Sequence, residues 1–192
     1  MHHNLLLNKQ PVLDAAQTLF AYQLAVEPIE GKELSANEWE TEIRSLWSGI
    51  EENIGFDSLT AGKPVFYQAP LAALKLDLLP NIEPLSRLMV EVDIDLLKDK
   101  AALTAVKEMI QAGVQIAVKN YSPTEAHNKL LSIAKLVKFN VEDMADGALT
   151  ELFSALQDKN LKVIVTDVDT EESYQALKEK GANYFQGYFF TN

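Results

Sequence analysis

The sequence predicts an α/β fold in which short strands alternate with helices. Lys162–Thr166 is a continuous run of mostly β-branched residues, which is typical of a strand covered on both faces. Runs of this kind alternate with longer helical segments, and that alternation is typical of parallel βαβ units. Eight strands are predicted, the first two without a helix between them. The pattern therefore predicts a shortened, TIM-barrel-like (β/α) barrel whose first strands form a hairpin.

The predicted hairpin opens the chain. Its strands are Leu5–Leu7 and Thr18–Leu24, with Gln10, Pro11 and a turn at 14–17 between them, because proline and polar residues interrupt a strand pattern. A polar loop at 27–36 then leads to the first helix.

The first helix has a single apolar stripe. Ser35 and Glu38 have the spacing of a capping box, which marks its start. Trp39 and Trp47 fall on the stripe at helical spacing. Two tryptophans in this position are expected to anchor the core rather than to form a ligand cage.

The remaining segments repeat a strand and then a helix. The predicted strands are Pro64–Gln68, Arg87–Val92, Val114–Val118, Leu136–Val141, Lys162–Thr166 and Tyr184–Tyr188. The predicted helices are Leu71–Leu79, Ala101–Ala112, Thr124–Ala134, Gly147–Lys159 and Thr170–Gly181, and 58–63 is a predicted loop. His127 falls on one of these helices and is expected to face solvent. An open, doubly wound sheet is the alternative, but no glycine-rich fingerprint follows the first strand.

Composition and charge restrict the classes of function. The chain has 192 residues, of which 47% are hydrophobic, enough for one domain over residues 1–192. A formal net charge of −11 argues against a nucleic-acid partner. There is no cysteine for a disulfide or a cysteine-ligated zinc site, and no apolar run approaches the roughly 20 residues of a membrane span. The sequence therefore predicts a cytoplasmic protein without a membrane partner.

Polar residues stand at the ends of the predicted strands. In a (β/α) barrel the site lies at the carboxyl ends of the strands, so these residues are candidates for it. They are Gln23, Gln68, Glu91, Lys119, Asn120, Lys138, Asn140, Thr166 and Gln186. Asp167 is expected to point away, because successive residues of a regular strand face opposite sides. From the residues alone, the interpretation that these are ordinary polar loop edges stays open.

The end of the chain carries a family resemblance. Val165–Thr170, Lys180–Gly181 and Gln186–Thr191 resemble the closing motifs of the EAL domain, the bacterial cyclic-di-GMP phosphodiesterase family, which read A-E-x-V-E-T, L-G and Q-G-Y-x-F-S. The opening Asn8–Asp14 is similar to the start of shortened EAL-like domains that precede an HDOD domain. That similarity implies that the chain is the N-terminal part of a longer signalling protein.

The resemblance also implies which site residues have changed. Glu91, Lys138 and Gln186 match residues that the family keeps. The replaced positions are Gln23 and Thr166 for glutamates, Gln68 for an asparagine, Lys119, Asn120 and Asn140 for aspartates, and Glu27 for the arginine that holds the dinucleotide phosphate.

These replacements remove most of the oxygen ligands that Mg²⁺ or Mn²⁺ requires, and Lys119 adds a positive charge. The expectation is a domain without metal, cofactor or catalytic residues, which acts as a signalling or protein-interaction module on a protein partner or an adjacent signalling domain. Two alternatives remain. One is a catalytically inactive receptor of cyclic di-GMP, although Glu27 would repel its phosphates. The other is an active phosphodiesterase.

Overall fold

The computed structural model describes residues 4–140, 142 and 146–190. Eight strands close into one barrel, namely β1 (Leu5–Asp14), β2 (Leu19–Pro28), β3 (Val65–Gln68), β4 (Leu88–Asp93), β5 (Gln115–Lys119), β6 (Leu136–Asn140), β7 (Lys162–Thr166) and β8 (Tyr184–Phe185). β1 is antiparallel to β2 and β8, and the other neighbours are parallel. The predicted α/β barrel with an opening hairpin is therefore confirmed. Val141, the last residue of one predicted strand, lies outside the described residues.

Helices surround the strands. They are α1 (Ala36–Asn53), α2 (Phe56–Thr60), α3 (Lys100–Gln111), α4 (Glu125–Leu130), α5 (Leu149–Gln157) and α6 (Glu171–Glu179). The capping box of α1 forms as predicted, with the Ser35 N–H donating to the Glu38 carboxylate at 2.8 Å. Trp39 and Trp47 are both buried core residues. No helix in the described ranges combines the length and apolar character needed to cross a membrane.

The opening hairpin is longer than predicted. β1 runs through Gln10 and Pro11, so the prediction that these residues connect two strands is wrong. Pro11 pairs with Tyr22 of β2, whereas β8 contacts β1 only through residues 13–14. Because no second strand lies beside β1 at Pro11, the missing N–H of proline costs no ladder hydrogen bond on that edge.

Other predicted segments also differ, and the helix predicted over Thr124–Ala134 is an α-helix only to Leu130, followed by a 3₁₀ turn at Leu131–Ile133. The segment Leu71–Leu79 forms two 3₁₀ turns instead of a helix, because Leu74 leaves the helical region at φ −88° and ψ 64°. α2 extends into the predicted loop at 58–63. β8 ends at Phe185 rather than at Tyr188, because the following residues turn across the end of β7.

One apolar layer fills the lower part of the barrel interior. It consists of Val12, Ala21, Phe66, Met89, Ala117, Leu136 and Ile164, one residue from each of seven strands. All of them are buried. Because side chains alternate along a strand, the residue two positions away points into the same interior, one layer higher or lower. The apolar layer therefore forms a floor beneath the carboxyl ends of the parallel strands.

Two buried tyrosines offer a matched test of the packing. The hydroxyl of Tyr67 has no hydrogen-bond partner among the described residues, and burial raises its pKa. The hydroxyl of Tyr174, which is equally buried, donates to the Ala15 carbonyl at 2.8 Å. Tyr67→Phe is expected to keep the free energy of unfolding or raise it by up to about 1 kcal/mol, and Tyr174→Phe to lower it by about 1 kcal/mol. Urea denaturation monitored by circular dichroism measures both. Equal losses in the two variants would contradict this interpretation.

Candidate functional site

A polar layer lies directly above the apolar floor. Its members stand two residues from floor residues of the same strand, as Gln23 does from Ala21 and Glu91 from Met89. Strand alternation therefore directs them into the barrel. Every strand or strand end contributes one residue, and these are Gln10, Gln23, Gln68, Glu91, Lys119, Lys138, Thr166 and Gln186.

The polar layer is the base of a cavity of about 410 Å³ at the carboxyl ends of the parallel strands. The remaining lining residues are Pro11, Asn120, Asn140, Asp167, Gly187 and Tyr188. Amides and charged groups dominate this lining. The cavity is therefore suited to a polar ligand.

Glu91 is the one carboxylate in the polar layer, and it is only 2% exposed. Lys138 Nζ donates to Glu91 Oε1 at 2.7 Å, and Gln23 Nε2 donates to the same oxygen at 3.3 Å. A buried carboxylate without such partners would be strongly destabilising. The charge of Glu91 is therefore compensated within the protein.

Amide side chains continue this network around the barrel. Gln23 Nε2 also donates to Gln68 Oε1 at 2.8 Å. Gln186 Nε2 donates to Gln10 Oε1 at 2.6 Å and to Gln23 Oε1. Gln186 is 4% exposed, and its Oε1 is buried without a hydrogen-bond partner among the described residues. The network thus leaves one buried acceptor unsatisfied.

Gln186 reaches the layer because the chain after β8 lies directly on the end of β7. The Val168 N–H donates to the Gln186 carbonyl at 3.1 Å. A Cβ atom on Gly187 would stand 2.2 Å from the Val168 carbonyl oxygen, so the close approach requires glycine. The Asp169 carboxylate accepts the Tyr188 N–H at 3.2 Å, which holds Tyr188 at the rim of the cavity.

The structure brings together all nine strand-end residues that the sequence singles out. Glu27 is not among the lining residues, because it lies exposed on the hairpin, where its carboxylate accepts from Asn8 Nδ2. Asp167 does line the cavity, so the expectation that it points away is wrong. β7 ends at Thr166, and Asp167 takes a left-handed φ of 59°, so strand alternation does not extend to it.

Sequence reasoning missed Gln10, Pro11, Gly187 and Tyr188 as lining residues. Gln10 pairs with Gln23 in the hairpin register, which places both at the same height in the barrel. The two-residue spacing between Gln10 and buried Val12 indicates that both side chains point into the barrel. This spacing can be used only once β1 is known to continue to Asp14, because the argument holds only within one strand.

His127 is buried, and the expectation that it faces solvent is wrong. Its Nδ1 accepts the Ser122 N–H at 3.1 Å, so Nε2 carries the proton and donates to Asp95 Oδ1 at 2.9 Å. Lys98, and then His127, lower the pKa of Asp95 through these hydrogen bonds. The Ser122 hydroxyl also lies 3.1 Å from Nδ1, but the backbone N–H already uses that acceptor. The arrangement therefore fixes the loop after β5 and does not present an activated nucleophile.

The cavity does not fit a divalent metal ion. Hard cations such as Mg²⁺ and Mn²⁺ take several oxygen ligands, mainly carboxylates. Within residues 4–140, 142 and 146–190, no group of three or more acidic or histidine side chains is arranged so that it could hold a metal ion. Lys119 and Lys138 both line the cavity, and Lys138 already bonds to Glu91. These two ammonium groups would repel a metal cation.

A protein-family model for the EAL domain matches residues 65–192, which is more than half of the chain. The chain belongs to the EAL domain family. This family includes phosphodiesterases of cyclic di-GMP. The matched segment of the EAL domain begins at β3, so eight of the nine predicted site residues lie within it and Gln23 lies outside it.

Curated relatives match almost the whole EAL domain at low identity. This chain is 24% identical over 188 residues to the cyclic di-GMP phosphodiesterase CdgJ of Vibrio cholerae. It is 22% identical over 188 residues to the uncharacterized protein YuxH of Bacillus subtilis. These alignments cover 95% of this chain but 43% and 46% of the relatives, so the chain spans less than half of their length.

A solved structure shares the barrel fold. Klebsiella pneumoniae BlrP1, in a complex with calcium and cyclic di-GMP, superposes with a TM-score of 0.74 at 13% sequence identity. The match covers 98% of this chain and 56% of that chain. At this identity the likeness shows the fold of the EAL domain.

The Glu91–Lys138 pair generates a stability prediction. Lys138→Met removes the charged partner of a buried carboxylate and is expected to lower the free energy of unfolding by about 3 kcal/mol or more. The double variant Glu91→Gln/Lys138→Met has no uncompensated charge and is expected to recover most of that loss. Urea denaturation measures both, with exposed Lys107→Met of α3 as the control. If the single and double variants lose the same stability, the pair does not compensate the charge of Glu91.

Proposed function

We propose that this EAL domain is a non-catalytic module of bacterial signalling, which acts through a protein partner or an adjacent signalling domain. One observation carries the proposal. Of the eight side chains that the strands direct into the mouth of the barrel, Glu91 alone is a carboxylate, and lysine and glutamine donors already surround it.

The chemistry of phosphodiester cleavage supports this proposal. Two-metal hydrolysis needs a carboxylate cluster that holds both ions, so that one metal activates water and the charge of the transition state is stabilised. In this EAL domain the corresponding layer presents four glutamine amides, two lysines and a threonine besides Glu91. A metal bound to Glu91 would have to displace Lys138 from a 2.7 Å contact in a buried position.

A catalytically inactive receptor of cyclic di-GMP is the second candidate, because the cavity persists and Glu27 bonds to Asn8 on the hairpin instead of entering it. Against this candidate, neither of the two arginines of the chain lines the cavity. Arg44 bonds to Asp77 at 2.6 Å and Arg87 to Asp57 at 2.8 Å, so both are held elsewhere. The bidentate contact that arginine makes with a phosphate is therefore missing.

Cyclic di-GMP turnover tests the proposal directly. The purified protein is expected to form no linear dinucleotide from cyclic di-GMP in the presence of Mn²⁺, measured by chromatography. The CdgJ phosphodiesterase serves as the positive control. Product that requires both this protein and Mn²⁺, and that disappears in Glu91→Gln, would overturn the proposal. Calorimetric titration with cyclic di-GMP and Ca²⁺ then separates the two candidates, because saturable binding with a Kd below about 100 µM would favour the receptor.

A gain-of-ligand variant tests the physical reason. Gln23→Glu/Lys119→Asp/Asn120→Asp/Thr166→Glu restores carboxylates at four positions of the cavity. It is expected to bind Mn²⁺ at least about tenfold more tightly than the unmodified protein, because carboxylate oxygens are the preferred ligands. Electron paramagnetic resonance of free Mn²⁺ measures the affinity.

The matched control makes the same four residue changes at exposed positions of four different helices, as Gln111→Glu/Lys178→Asp/Asn53→Asp/Thr150→Glu, so that no new carboxylate cluster forms on one helix face. It alters the net charge equally and is expected to leave the affinity for Mn²⁺ unchanged. Tight Mn²⁺ binding by the unmodified protein, or equal gains in both variants, would show that the lining is not what prevents metal binding.

A further inference from the structure

Lys119 is the one charged side chain of the polar layer that has no ion partner among the described residues. It is half-buried at the end of β5, and Lys138 is its register neighbour on β6. Both ammonium groups line the same cavity. The positive charge of Lys138 is balanced by Glu91, whereas that of Lys119 is not.

The nearby carboxylates are engaged elsewhere. Asp93, the register neighbour of Lys119 on β4, accepts Asn120 Nδ2 at 2.6 Å through one oxygen and the Asp95 N–H at 2.9 Å through the other. Glu91 is held by Lys138. Asp167 is exposed at the rim, where its carboxylate accepts from the Thr166 hydroxyl at 3.3 Å. Neither Asp93 nor Asp167 forms an ion pair with Lys119, so the ammonium group of Lys119 keeps its donors available for a ligand.

A second donor stands beside Lys119. Asn140, at the end of β6, uses its Oδ1 to accept the Glu142 N–H at 2.8 Å. Its Nδ2 group donates to no acceptor among the described residues, and the side chain lines the cavity. An ammonium and an amide N–H₂ on neighbouring strand ends are suited to an oxyanion, because charge-assisted hydrogen bonds to carboxylate or phosphate are strong.

The opposite wall offers an acceptor instead. Gln186 Oε1, on the far side of the barrel from β5, is buried and has no donor among the described residues. A buried acceptor without a partner is destabilising, so a ligand hydroxyl directed at it would be favoured. A volume of about 410 Å³ falls in the range of small-molecule sites.

We propose that the mouth of the barrel binds a small organic oxyanion that carries a hydroxyl group, with the anion at Lys119 and Asn140 and the hydroxyl at Gln186 Oε1. The site thus selects an anion at the strand ends where a metal-dependent EAL domain requires cations. This inference rests on the proposed absence of a metal centre. It extends the proposed function by naming the class of small molecule to which the signalling module would respond.

The test is a titration of the ¹⁵N-labelled 192-residue protein, followed by the backbone amide signals of Asn120, Asn140 and Asp167. The probes are sn-glycerol 3-phosphate, inorganic phosphate and glycerol, at constant ionic strength and with EDTA to remove metals. Glycerol 3-phosphate is expected to give saturable shifts at these signals. Inorganic phosphate is expected to bind several-fold more weakly because it does not span the cavity to Gln186, and glycerol should not bind.

Lys119→Gln is expected to weaken binding of glycerol 3-phosphate by about tenfold or more, since it removes a charge-assisted hydrogen bond. Exposed Lys107→Gln is the charge-matched control and should bind as the unmodified protein does. Absence of shifts at the strand ends, or equal binding by both variants, would overturn the anion site and leave the proposed function standing. Binding that appears only with Mn²⁺ and is lost in EDTA would overturn both, because it would reveal a metal centre.

Discussion

The buried carboxylate of Glu91 constrains the whole mouth of the barrel. A charge that is 2% exposed needs donors, and here they come from Lys138 and Gln23, which lie two strands away on either side of β4. Because Gln23 Nε2 donates to Glu91 and Gln68, Gln23 Oε1 is oriented to accept a hydrogen bond from Gln186. The orientation of each amide in the ring therefore depends on the presence and charge of one residue on β4.

In the closed barrel, the polar side chains of the cavity and the apolar side chains that stabilise the fold occupy different positions. The apolar floor and the outer core of strand and helix residues are built from positions that never reach the cavity. The polar layer above can therefore change its residue types while the backbone keeps its shape. This separation accounts for a chain that superposes on BlrP1 with a TM-score of 0.74 at 13% identity and yet presents amides and lysines at the strand ends.

Much of this organisation could be predicted from the sequence. Parallel strands have short, apolar signatures, and their carboxyl ends must meet, so residues as distant as Gln68 and Thr166 could be assigned to one site. The errors came where tertiary contacts override local pattern. Pro11 sits in a strand because its edge is unpaired, and Asp167 enters the cavity because a left-handed turn ends β7. His127 is buried through bonds to Ser122 and to Asp95, thirty-two positions away in the sequence, which no local pattern reveals.

The proposed absence of a metal centre and the proposed anion site both depend on the charged side chains that line the cavity. Removing carboxylates alone would leave a neutral polar cavity, which water could fill at little cost. Lys119 does more, because it stands half-buried beside Lys138 while Asp93 is bonded to Asn120 and to the Asp95 N–H. Lys119 thus has no ion partner among the described residues, and an ammonium group in that state is suited to a charge-assisted hydrogen bond with an anionic ligand. The anionic group of the proposed ligand is therefore assigned to Lys119 rather than to Lys138, whose charge Glu91 already pairs.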